Sequence, residues 1–186
     1  MKDFKGLNWP LELVGDLGKM NKVKILKLDC QIEIRLISDI INPDFIEEIY
    51  LKDIKLKEDS ANNFENKLMQ CKKLRILDLS IELFDTYKSL EANKEFSETL
   101  FKSLIATSSI QMIVFYGVLL DEETSITLLN FFENSKTIRT IEINYRNDFK
   151  YEGSEEDLMN KITKELAQKE TKVNCLLKDI HYEENK

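Results

Sequence analysis

Glycine and proline are scarce in this chain, with 5 and 2 among 186 residues. Sandwiches and small barrels draw on those residues at frequent turns, so a turn-dense all-β fold is disfavoured. Histidine occurs once, as His181 near the C-terminal end. That removes the commonest general base and metal ligand from any central site, and no Cys–His or Ser–His–Asp constellation is expected. The cysteines number 3, Cys30, Cys71 and Cys175, widely spaced and without a CxxC pair. Neither a disulfide framework nor a zinc centre follows from them. No Asn-x-Ser/Thr sequon occurs. Thiols without an evident bridge and the missing sequon fit a reducing, intracellular, cytoplasmic setting.

Basic charge is also in short supply. Lys and Arg total 27 against 34 Asp and Glu, for a net charge of −7. Phosphate contacts need a basic face, so nucleic acid is not an expected partner. No apolar run approaches the roughly 20 residues of a membrane span. The first ten residues, through Trp9 and Pro10, lack the apolar stretch of a signal peptide. Acidic pairs such as Glu122-Glu123 and Glu155-Glu156 lack EF-hand spacing. No catalytic set, metal site or cofactor is expected, and the chain reads as non-enzymatic.

What the chain does contain is a repeat. An aliphatic residue, two variable ones, an aliphatic, a variable residue and another aliphatic recur along it. The instances begin at Val23, Ile46, Leu74, Ile110, Ile138 and Val173, and the sixth is degenerate because Lys178 holds an apolar slot. Within each hexad the last two aliphatics alternate with polar residues and so share one face of a short strand. A strand this short cannot bury its face alone, but a stack of them can if something covers it.

Helical spacing between the hexads supplies that cover. The groups are Leu13, Val14, Leu17, Met20; Ile37, Ile40, Ile41, stopped by Asn42-Pro43; and Phe64, Leu68, Met69. Then come Phe96, Leu100, Leu104, Ile105; Ile126, Leu128, Leu129, Phe132; and Leu158, Met159, Ile162, Leu166. Asp121-Glu-Glu suits the start of the fifth helix.

On these residues the chain resembles the leucine-rich-repeat superfamily, in its ribonuclease-inhibitor-like class with helices on the convex side. The resemblance covers roughly residues 10 to 180. It implies an α/β solenoid whose curved parallel sheet lines the concave side. The whole chain, 1–186, would form one domain of about five to six repeats, with 1–9 and 181–186 as terminal extensions. The Asn or Cys that the family places three positions after the third aliphatic is mostly missing. Gln31, Ile54, Glu82, Val118 and Arg146 stand there instead, so the polar ladder behind the strands is weak.

In such a solenoid the variable hexad residues face the open side of the sheet. They form three columns: Ile25, Glu48, Ile76, Met112, Thr140, Cys175; Lys27, Tyr50, Asp78, Val114, Glu142, Leu177; and Asp29, Lys52, Ser80, Tyr116, Asn144, Asp179. Tyr50, Ile76, Asp78, Met112, Val114 and Tyr116 cluster on the middle strands, and an apolar, aromatic patch flanked by charge suits a protein partner. Two inserts, near Ile81 to Asn93 and Tyr145 to Ser154, carry Phe84, Tyr87, Phe149 and Tyr151 and are expected as loops on one rim. The implied function is a non-catalytic protein–protein interaction module, an adaptor, scaffold or complex subunit. The alternative is a regulator of another protein, such as a small-GTPase activator or a filament-end cap, by analogy of class with Ran GTPase-activating proteins and tropomodulins.

Overall fold

The computed structural model describes residues 22–56, 61–81, 87–146, 160, 164 and 174–179. Strands β1 (Ile25–Glu33), β2 (Glu48–Lys55), β3 (Ile76–Ile81), β4 (Met112–Leu119), β5 (Thr140–Arg146) and β6 (Asn174–Asp179) alternate with helices. These are α1 (Ile34–Ile40), α2 (Ala61–Gln70), α3 (Tyr87–Ala106) and α4 (Glu122–Asn134). The expected helix before β1 lies outside the described residues. Of the one after β5, Asn160 and Lys164 are described and both are helical.

All six strands join one sheet in the order β1-β2-β3-β4-β5-β6, every neighbouring pair parallel. Each strand therefore lies beside its neighbour in sequence, the topology of a stack of like units rather than of a doubly wound sheet. The hexads explain it. Leu26, Ile49, Leu77, Ile113 and Ile141 are register partners across five strands, as are Leu28, Leu51, Leu79, Phe115 and Ile143. All ten are buried in one core cluster. Full burial of such a side chain contributes about 1.5–3 kcal/mol, so these two ladders are the main source of cohesion between units.

A third ladder runs along the backbone at the entrance to each strand. The Glu47 N–H donates to the Lys24 carbonyl at 2.7 Å, Arg75 N–H to Glu47 at 2.7 Å, Gln111 N–H to Arg75 at 2.9 Å and Arg139 N–H to Gln111 at 2.8 Å. The first aliphatic of each unit, Ile46, Leu74, Ile110 and Ile138, lies buried beside this line. It turns the chain into register with the preceding unit.

The helices pack side by side on the buried face. Phe64 of α2 stacks on Phe96 of α3 with ring centroids 6.2 Å apart, and Phe101 of α3 meets Phe115 of β4 at 6.0 Å. Two residues expected on buried helical faces prove exposed, Ile105 at 40% and Ile126 at 53%. Phe101 and Phe131 take the inward places. Asp121 caps α4 through a reciprocal box with Thr124, and its carboxylate meets Lys94 Nζ of α3 at 2.7 Å. Lys94 and Thr124 hold the Asp121 carboxyl below its ordinary range despite the upward push of burial.

Two expectations need correction. The first insert is largely helix: Tyr87 to Asn93 form the opening turns of α3 rather than a rim loop. Asn93 is buried there, where its amide bonds the backbone at the end of β4. The sixth hexad is displaced by one residue. The β5–β6 register pairs Ile141 with Cys175, Glu142 with Leu176 and Ile143 with Leu177. A slip of one residue exchanges the two faces of a strand. Asn174, Leu176 and Lys178 thus continue the open columns, in place of Cys175, Leu177 and Asp179. Lys178 is no defect in the repeat, since it stands on the open-face column.

Candidate partner-binding face

Alternation dictates the site. In β1 exposure alternates residue by residue, and β3 alternates between half-buried and buried. The open positions form rows across the sheet by direct Cα pairing. The first is Ile25, Glu48, Ile76, Met112, Thr140, Asn174, and the second is Lys27, Tyr50, Asp78, Val114, Glu142, Leu176. The third runs from Ser80 through Tyr116 and Asn144 to Lys178. Among the described residues no helix belongs to this face. Ile25, Tyr116 and Leu176 are exposed to 51%, 42% and 54%, high values for side chains so apolar.

Tyr50, Ile76, Asp78, Met112 and Val114, expected from the hexads, come together here as half-buried neighbours of exposed Tyr116. Tyr87 does not belong to the group as a loop residue, being the first residue of α3. Phe84, Phe149 and Tyr151 lie outside the described residues. Leu176 was missed, because Leu176 and Leu177 are adjacent and the hexad alone does not choose between them. Glu142 stood in the expected column but outside the candidate cluster, and the pairing of Val114 with both Asp78 and Glu142 brings it beside that cluster.

Charges at the β1–β2 end satisfy one another. Lys52 Nζ lies 3.9 Å from Asp29, and Lys27 Nζ sits 4.2 Å above the Tyr50 ring. The Tyr50 hydroxyl donates to Glu48 at 3.0 Å. Burial, then this bond, raises the phenol's pKa. Arg75 reaches Glu47 at 3.2 Å and Glu48 at 3.4 Å. Lys24 pairs with Glu47 at 2.8 Å, and that bond is the chief reason the Glu47 carboxyl lies below its ordinary range.

The middle is different. Asp78 has no hydrogen bond or ion pair among the described residues. Burial raises its pKa, Lys52 and Lys27 oppose this, and Glu142 adds to it. Glu142 accepts one bond, from the Asn144 amide at 3.3 Å. Between these two acids lies the outward row of β4: Met112, Val114 and Tyr116.

Groups of three or more potential metal ligands do not occur among the described residues. Nor does any described helix have the length and apolarity to cross a membrane. Buried Cys71 has its thiol pushed up to about 12 by burial, which suits a packing role and not a nucleophile.

No family model matches the chain, and no curated protein matches it. Among solved structures it is similar to the tropomodulin C-terminal domain of Caenorhabditis elegans. The identity is 15%, the TM-score 0.54, and the match covers 86% of this chain and 93% of that one. The likeness is one of fold, and it agrees with a leucine-rich-repeat-like stack of strand–helix units.

Proposed function

We propose that this protein is a non-catalytic interaction module that binds another protein across the open face of its sheet, with that face as the concave wall of a curved solenoid. The observation that carries the reading is Tyr116, an aromatic side chain 42% exposed on β4, in line with Val114 and Met112 on the same face of the strand. Exposed aromatic and apolar side chains on a preorganised surface bind at low entropic cost. Absence of enzymatic activity, an adaptor or scaffold role and a cytoplasmic setting are parts of this proposal.

The second reading is a regulator of another protein, such as a filament-end cap. Its support is the fold likeness to the tropomodulin domain, which at 15% identity transfers no individual residue.

A Tyr50→Ala/Tyr116→Ala variant tests the proposal. Folded, as judged by circular dichroism, it should lose partners that wild type captures by chemical cross-linking in native lysate. If the variant instead unfolds, or keeps every partner, the two rings serve the core and the reading fails.

A further inference from the structure

The open face has a charge pattern as well as an apolar one, and it selects among partners. Row two reads Tyr50, Asp78, Val114, Glu142, so one carboxylate stands on each side of Val114. Adjacent strands lie about 4.8 Å apart, which puts the Cα atoms of Asp78 and Glu142 about 10 Å from each other. That is the span of one side chain laid across β4 with room for its neighbours. Along β4 the outward residues are Met112, Val114 and Tyr116, without a charge among them. The result is an apolar strip with an acid on each bank.

The other described charges of the face are largely spent. Asp29 is with Lys52, Glu48 with Arg75, and Lys27 lies on Tyr50. Asp78 has no ion pair and Glu142 none, within the described residues. The two acids flanking β4 are thus the ones left without an ion pair, with Lys52 and Lys27 acting on Asp78 only from farther away and Lys178 standing one row on, beside Asn144. The net charge of −7 reinforces the field at longer range. Asp78 is half-buried, and a cation brought to it would offset the desolvation it bears now.

We infer that the occupant of this face is a cationic amphipathic segment of another protein, whose apolar residues lie along Met112, Val114 and Tyr116 while Lys or Arg side chains reach Asp78 and Glu142. Arginine is favoured at these positions because its planar fork pairs with a carboxylate while its stem stacks on an aromatic ring such as Tyr116. The inference rests on the open-face reading above and adds the chemistry of the partner.

Three fluorescein-labelled peptides test it. They share one leucine/alanine pattern and differ only in their polar positions, which are arginine, glutamine or glutamate. Anisotropy titrations against the full chain should rank arginine over glutamine by at least about tenfold, with glutamate weakest. Added salt should shrink the gap. In Asp78→Asn/Glu142→Gln, a near-isosteric change that keeps the sheet, the arginine advantage should fall below about threefold while glutamine-peptide affinity stays unchanged. Val114→Arg, which supplies the cation internally, should abolish the preference by a second route. Equal binding of the arginine and glutamine peptides overturns the charge inference and leaves the open-face reading standing. Full preference in the double variant also overturns it. Failure of all three peptides to bind overturns both.

Discussion

The Asn93 side chain of α3 is bonded to the backbone at the C-terminal end of β4, where the strand's register shifts between Tyr116 and Val118. Its amide donates to the Gly117 carbonyl at 2.8 Å, and its oxygen accepts the Leu119 N–H at 3.2 Å and the Ser97 hydroxyl at 3.0 Å. Gly117 has φ 78°, a conformation open to glycine without strain. The leucine-rich-repeat pattern that the sequence resembles would place an asparagine at position 118, where this chain has Val118. Here a helix supplies the asparagine from a distant part of the chain. The Leu119 N–H also donates to the Ser97 hydroxyl at 3.1 Å, so Asn93→Ala strands chiefly the Gly117 carbonyl and should cost about 1–3 kcal/mol. Urea unfolding measures it, and a loss under about 0.5 kcal/mol would show that water replaces the amide.

Glu65 on α2 is 2% exposed, and neither carboxylate oxygen has a hydrogen-bond partner among the described residues. Burial, and secondarily Glu95, raises its pKa from 4.5 to about 8. The folded state thus holds a proton that the unfolded chain releases near 4.5. The stability tied to it is complete below that value and is lost as pH rises towards about 8, by about 1.4 kcal/mol per unit from this group alone. Glu65→Gln should flatten this slope between pH 5 and 8. A variant with the wild-type slope would show that Glu65 is ionised in the fold.

Asp121 acts with the opposite sign. Its folded pKa is lowered, so its contribution is present at neutral pH and is lost as pH falls through the depressed range. Asp121→Ala removes both the cap of α4 and the partner of Lys94, and should cost about 1–2 kcal/mol at pH 7. Asp121→Asn keeps a capping oxygen and should cost less. Thermal melts at pH 7 and pH 3 check this: the Ala deficit should narrow at the lower pH, and a constant deficit would assign the effect to the cap alone.

The displaced register of β6 is open to a covalent test. In a Cys175→Ser background, Glu142→Cys with Leu176→Cys joins directly paired residues whose side chains stand on one face, within the Cα separation of about 4.4–6.8 Å that a disulfide needs. Mild oxidation should bridge this pair. It should not bridge Glu142→Cys with Leu177→Cys, which occupy opposite faces. The reverse outcome would restore the unshifted hexad.

The interior was legible in the chain, residue by residue. Leu26, Leu28, Ile49, Leu51, Leu77, Leu79, Ile113, Phe115, Ile141 and Ile143 follow from period-two alternation, and the same alternation sends Tyr50, Asp78, Val114 and Tyr116 to the other face. Such patterns are local, because neighbouring residues on a strand point to opposite sides whatever the fold around them. Three features needed the folded molecule. Leu176 and Leu177 are adjacent and both apolar, so only pairing with Glu142 and Ile143 decides which faces out. Tyr87 begins a helix that runs to Ala106, whereas its place in an insert following a strand suggested a rim loop. Asn93 meets Gly117 and Leu119 across a gap in sequence that no local pattern spans. The sequence by itself determined which side chains of β1 to β5 avoid water, while among the helices Ile105 and Ile126 turned outward against the pattern. The tertiary structure decided which polar groups find partners, since hydrogen bonds and ion pairs depend on positions in space, and it is this second decision that leaves Asp78 and Glu142 without an ion pair among the described residues beside the β4 strip.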